Sequence, residues 1–185
     1  MTYQSTKEAA VGSIIDEVKG LYTIITIDEF RKTPNVEFKV IADDLLPRID
    51  GIDKVMHRPG AVSPGVDESG ERTWYMHPFQ DDNLLVLQGE RNVEIYTKEH
   101  GRIEQFNIST DHVYKNGKLL CETSAMLVWP RGVFHRITSG PEGSITINLA
   151  TRYDGFDIKT NFNIYNLDTA TGEFSVHRLG HEDQV

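Results

Sequence analysis

Apolar and polar residues alternate in short runs along most of this chain, and turn residues separate the runs. Val36-Glu-Phe-Lys-Val-Ile, Lys54-Val-Met-His-Arg, Thr73-Trp-Tyr-Met-His and Asn92-Val-Glu-Ile-Tyr-Thr each repeat with period two, the spacing of a strand with one buried face. Leu21-Tyr-Thr-Ile-Ile-Thr-Ile is rich in β-branched and aromatic residues, and Leu84-Leu-Val-Leu is an apolar run of buried-strand length. Ile103-Glu-Gln-Phe-Asn-Ile, Ala125-Met-Leu-Val-Trp, Phe134-His-Arg-Ile-Thr and Ser144-Ile-Thr-Ile-Asn-Leu continue the series. A hairpin is expected across Lys98-Glu-His-Gly-Arg. Another is expected from Asn163–Leu167 to Glu173–His177, with Gly172 supplying the positive φ of its turn. One segment breaks the pattern. Val11, Ile14, Ile15 and Val18 recur at helical spacing, Ser5 or Thr6 suits a cap and Gly20 a terminus, so a helix is expected over residues 5–20.

Many short strands between Gly, Pro, Asn and Asp turns predict a mainly β sandwich or barrel. The 185 residues suit a single domain. Its divisions would be an N-terminal helix and strand extension (1–35), a barrel (36–150) and a C-terminal extension (151–185). Residues 59–71 are the most loop-like stretch, a connection or a lid at a barrel mouth.

Composition narrows the function classes. The net charge of −9 argues against a nucleic-acid partner and against an anionic membrane surface. No apolar run is long enough to span a bilayer. Cys121 is the only cysteine, so no intrachain disulfide forms. The first residues lack a basic stretch leading into an apolar one, so no signal peptide is expected, and a cytoplasmic location follows as an expectation.

Candidate chemistry concentrates in two segments, His77-Pro-Phe-Gln-Asp-Asp-Asn-Leu-Leu-Val-Leu-Gln-Gly89 and Pro130-Arg-Gly-Val-Phe-His135. Tyr75 and His77 share a strand face. Pro130 and Gly132 form a turn that would aim His135 into the same interior. His77, His135 and Asp82 together have the composition of a two-histidine, one-carboxylate metal site, with Gln80 and Asp81 as alternates if the register slips. Zinc would also accept these ligands, with water in the fourth position. Tyr75 is a cavity-wall residue able to donate a proton or hydrogen bond. His57 and Arg58 lie on an earlier strand, where Arg58 would suit an anionic ligand. Trp129 and Phe134 flank the second segment and would form core or an apolar pocket wall.

From Thr73 to Thr138 the sequence resembles the cupin superfamily, whose motifs run G-x5-H-x-H-x3/4-E-x6-G and G-x5-P-x-G-x2-H-x3-N. Asp82 stands at the glutamate's place before Gly89, His77 at the second histidine's and Tyr75 at the first's. Pro130, Gly132 and His135 match the second motif, while Ser124 and Ser139 replace its leading glycine and trailing asparagine. The first metal motif is therefore degenerate. The resemblance implies a double-stranded β-helix, or jelly-roll barrel. It also implies a homodimer and an enzyme of dioxygenase, isomerase or lyase type. Such an enzyme would hold Fe, Zn, Mn or Ni through His77, Asp82 and His135 and act on a small polar metabolite. The alternatives are a metal-free cupin binding a sugar or carboxylate through Tyr75 and His135, and a structural cupin with a filled interior.

Overall fold

Two long antiparallel strands carry the architecture of the computed structural model, which describes residues 12–184. In chain order the strands are β1 (Ile14–Val18), β2 (Tyr22–Thr26), β3 (Asp28–Thr33), β4 (Val36–Val40), β5 (Gly51–His57), β6 (Val62–Ser63), β7 (Trp74–Met76) and β8 (Gln80–Tyr96). They continue with β9 (Glu104–Ser109), β10 (Val113–Lys115), β11 (Lys118–Cys121), β12 (Ala125–Trp129), β13 (Phe134–Arg152), β14 (Ile164–Asp168) and β15 (Glu173–Arg178). β8 and β13 pair along nearly their whole length, and each passes through a bend midway.

The bend divides the fold into two layers. The first halves of β8 and second half of β13 join β12, β2, β1 and β5 in one layer. The second half of β8 and first half of β13 join β9, β10, β11, β6, β7 and the β14–β15 hairpin in the other. At the crossing the register shifts between Ser139 and Ser144. Gly89 sits there at φ 68°, and a Cβ on it would run into the carbonyl oxygen of Gly143. No side chain can occupy that position without moving one of the two central strands.

Apolar residues from both layers fill one end of the interior. Tyr22, Ile24, Leu84, Val93, Phe106 and Leu127 belong to this core, which reaches Trp129 and Ile137. A second cluster, Trp74, Tyr96, Phe134 and Tyr165, lies on the outer side of β7 and β13 beneath the C-terminal hairpin. That hairpin forms where the sequence places it, with Gly172 at φ 71°.

Two expectations are corrected. The helix over 5–20 does not form within the described residues. Ile14–Val18 is a strand paired with β2, and residues 1–11 lie outside the described part. Gly20, at φ 80°, closes a tight hairpin turn in which the Leu21 amide donates to the Val18 carbonyl at 2.9 Å. The β-branched residues that mimicked a helical stripe are good strand formers once that turn gives them a partner. The jelly roll also does not close into a barrel. Among the described residues β1 and β5 each have a single partner, so the first layer keeps two open edges there. Residues 59–71 are not wholly loop, since β6 pairs with Ile137 and Thr138 of β13. Among the described residues no helix is long and apolar enough to cross a membrane.

Candidate functional site

The end of the interior that apolar side chains leave unfilled is a cavity of about 620 Å³ between the two layers. Its size is that of a small-molecule site. Period-two alternation puts Asp82 and Leu84 of β8, and His135 and Ile137 of β13, on its walls. Tyr75 lies opposite His135 in the β7–β13 register, and His77 follows just beyond β7. The Gly132 amide donates to the His77 carbonyl at 2.9 Å, so the Pro-x-Gly turn is tied directly to the histidine of the first segment.

His77, Asp82 and His135 converge. All three are buried, and each offers a ligand atom within 4.8 Å of the others'. Nε2 of His77 is 3.3 Å from Oδ2 of Asp82, and Nε2 of His135 is 3.7 Å from the same oxygen. The far nitrogens face backbone carbonyls: His77 Nδ1 is 2.9 Å from the Asn161 oxygen and His135 Nδ1 is 3.2 Å from the Val133 oxygen. Each carbonyl can only accept, so each Nδ1 carries the proton and donates. The other carboxylate oxygen of Asp82 accepts from Gln80 Nε2 at 2.8 Å and Asn148 Nδ2 at 2.7 Å. Oδ2 is thereby left to the two histidines.

Burial opposes charge on all three groups, and the pairings divide the outcome. For Asp82 the neighbouring histidines and Gln80 outweigh burial and hold the carboxyl well below its usual range. For His77 burial is again outweighed, here by the Asp82 carboxylate and the Asn161 carbonyl, and its pKa is raised. His135 is pushed down to about 4 by burial and by His77 beside it.

These donors fit a divalent transition metal. The Nδ1–H to carbonyl contacts are the supporting bonds that fix a ligating imidazole's tautomer. Two donors bound to one ion at ~2.1 Å stand ~3.0–3.4 Å apart at octahedral to tetrahedral angles. The His77–Asp82 separation of 3.3 Å lies in that range and the His135–Asp82 separation of 3.7 Å just beyond it.

The remaining candidates separate cleanly. Tyr75 lines the cavity, its ring 6.3 Å from that of His77 and 5.9 Å from that of His135. Trp129 also lines it, 5.0 Å from the His135 ring. Phe134 does not. As the strand neighbour of His135 it must face the opposite way, and it packs on Tyr165 and Phe174. Arg58 is exposed past the end of β5, and it is His57, one residue earlier, that reaches the cavity. Of the alternates, Gln80 supports Asp82, while Asp81 faces outward and accepts from the Arg131 amide and the Tyr153 hydroxyl.

Arg91, Phe162 and the turn Gly180–Asp183 are among the contributors that escape the sequence reading. Arg91 is a buried cavity residue, and Phe162 packs edge-on against the His77 ring at 4.9 Å. The short turn Gly180–Asp183 covers part of the mouth. Arg91 stands in alternation with the inward Val93 and Ile95, so its orientation was available from the pattern. Phe162 and the C-terminal turn lie in irregular segments that carry no such signal.

No family model matches the chain, and no curated protein does. Solved structures do. A sugar 3,4-ketoisomerase from Thermoanaerobacterium thermosaccharolyticum, in complex with TDP, superimposes at TM-score 0.51 with 13% identity, over 76% of this chain and 85% of that one. A dTDP-6-deoxy-D-glucose-3,5-epimerase from Legionella pneumophila, bound to dTDP-4-keto-L-rhamnose, gives 0.54 with 14% identity over 77% and 72%. A dTDP-4-dehydrorhamnose 3,5-epimerase from Sulfolobus tokodaii gives 0.50 with 17% identity over 79% and 77%. At this level of identity the likeness is one of fold, and the chain shares the jelly roll of these structures.

Proposed function

We propose that the chain is an enzyme of isomerase type. It would act on a small polar molecule in the interlayer cavity, with His77, Asp82 and His135 holding a divalent transition metal. The observation that carries this reading is the orientation of the two imidazoles. Both Nδ1 protons are committed to backbone carbonyls, so both Nε2 lone pairs are directed at one carboxylate oxygen. Two lone pairs facing an anion repel unless a cation stands among them.

A bound divalent ion supplies Lewis-acid polarisation of a ligand oxygen. The protein's own groups do the rest. Tyr75, on the cavity wall beside both histidines, donates a hydrogen bond or proton to the ligand. Trp129 and Phe162 pack on His135 and His77 and keep water from their rings. Gln80 and Asn148 hold the carboxylate in one rotamer. The choice of isomerisation draws support from the structural neighbours, which are named for ketoisomerase and epimerase reactions.

A second reading is favoured by the 3.3 Å His77–Asp82 contact. Here the cation is a proton: His77 is an imidazolium paired with Asp82, and neutral His135 accepts a proton from the ligand without any metal. Elemental analysis of the purified protein separates the two. Near-stoichiometric metal that is lost from His77→Ala and His135→Ala supports the first. Absence of metal after reconstitution with iron, zinc, manganese and nickel overturns it and leaves the second.

A further inference from the structure

Arg91 is 1% exposed, lines the cavity and has no carboxylate partner among the described residues. Its guanidinium bonds are to neutral acceptors, with Nε donating to Ser144 Oγ at 3.0 Å and one terminal nitrogen donating to the Val55 carbonyl at 3.3 Å. Burial lowers its pKa to about 10, so it remains charged at neutral pH. A buried cation without a counter-charge is costly, and such groups are ordinarily paired.

The hydrogen bonds around Arg91 extend to His57. Arginine can only donate, so Ser144 accepts from it, and the Ser144 hydroxyl is hydrogen-bonded to that of Ser139, 2.7 Å away. Ser139 Oγ stands 3.1 Å from His57 Nδ1. Burial and the nearby guanidinium push His57 down to about 4, so the ring is neutral and has one N–H to donate. With Ser139 donating to Nδ1, that N–H is on Nε2 of a ring that lines the cavity. Ser63 adds a hydroxyl to the same wall.

We infer that Arg91, His57 and Ser63 form a subsite for a carboxylate, and that the cavity takes a small hydroxy or oxo acid, its acid group on Arg91 and its reacting end at His77, Asp82 and His135. The inference rests on the proposed reading of the cavity as a small-molecule site. Charge selects carboxylate over phosphate. Among the described residues Arg91 is the only lysine or arginine on the cavity wall, while Asp53, Asp82 and Asp183 share that wall. One guanidinium balances a monoanion; a phosphate dianion or a nucleoside diphosphate would carry charge that Arg91 alone does not neutralise. In the β8–β13 register Arg91 stands opposite Ser139, four residues from His135. At about 3.3 Å per residue the frame is ~13 Å long, and inward side chains shorten it to the reach of an acid of five or six carbons.

The test compares D-gluconate and D-galacturonate with D-glucose, D-galactose and D-glucose 6-phosphate in thermal-shift titrations at up to ~10 mM. The acids are expected to raise the melting temperature of the wild type by a few degrees and the neutral sugars to leave it unchanged. Arg91→Gln is expected to weaken acid binding at least tenfold while keeping its far-ultraviolet circular dichroism and its metal content. If Arg91→Gln does not fold, Ser63→Ala and Arg91→Lys supply the readout, each expected to weaken acid binding while the neutral sugars still give no shift. Equal shifts by neutral sugars, a larger shift by the phosphate, no shift by either acid, or acid binding indifferent to these substitutions overturns the inference. Failure of the metal reading is seen separately, as absence of metal in a wild type whose acid binding still depends on Arg91.

Discussion

The Nε2 atom of His77 stands 3.3 Å from Oδ2 of Asp82 at a site where both side chains are nearly sealed from water. Neither group is comfortable there alone, since an isolated buried charge costs several kcal/mol. Asp82→Asn keeps the shape and the hydrogen bonds to Gln80 and Asn148 but removes the charge. On the proposed metal reading, the substituted protein is expected to fold and to retain less than about a tenth of the wild-type metal content, as loss of a directly bound ligand does more than loss of its supporting bonds. Metal analysis of wild type and variant side by side checks this; full occupancy in Asp82→Asn would contradict the ligand assignment.

Gly89 makes a second, structural prediction. It occupies φ 68° at the bend of β8, and a Cβ there overlaps the Gly143 carbonyl oxygen. Both backbone strain and steric overlap act on the two strands that hold the layers together. Gly89→Ala is expected to destabilise the fold by about 2–4 kcal/mol in urea unfolding. A loss below ~0.5 kcal/mol would mean that the crossing of β8 and β13 yields easily.

These two sites show what the sequence could reveal. The strand segments were legible because each carries its own alternation, and His77, Asp82 and His135 were legible because turn chemistry and alternation aim them inward. The continuity of β8 and β13 was not. Gly89 and the Gly140-Pro-Glu-Gly segment look like breaks, yet they are bends inside strands whose pairing resumes on the other side. Val11, Ile14, Ile15 and Val18 fit a helical stripe, and only pairing with β2 decides for the strand. Of the two readings open for Phe134 the core one holds and the pocket-wall one does not, and of His57 and Arg58 it is His57 that lines the cavity, because neighbours on a strand face opposite ways. The mouth was beyond reach, since Phe162 and Gly180–Asp183 arrive through irregular chain.

His57 makes the protein sensitive to acid. Its pKa is about 4 in the fold, against an ordinary 6.5. Between those values the unfolded chain binds the extra proton, so stability rises with pH, is complete above 6.5 and is lost as pH falls towards 4. The full shift corresponds to about 3 kcal/mol. His57 is only half-buried, and solvent screening reduces this to about 1–2 kcal/mol. His57→Asn, whose amide oxygen can still accept from Ser139, is expected to flatten the urea midpoint over that range by this amount. A pH profile parallel to the wild type would place the acid sensitivity elsewhere.

Phe162 tests the sealing of the site without touching its donor set. Its ring meets the His77 ring edge-on at 4.9 Å and the Phe156 ring at 6.3 Å. Phe162→Ala removes one wall beside His77 and lets water reach it, while Asn161 keeps its carbonyl bond to Nδ1. The cost to the fold is expected to be modest, about 1–3 kcal/mol, because Phe162 is only partly buried and lies in a connecting segment. The effect on the site is expected to be larger. On the proposed metal reading, water that enters would replace a ligand atom, so metal release to excess chelator should accelerate at least several-fold, with stoichiometry unchanged when chelator is absent. Release at the wild-type rate would mean that access runs instead past the C-terminal turn at Gly180–Asp183, and the same chelation experiment on Asp183→Ala would then show the acceleration.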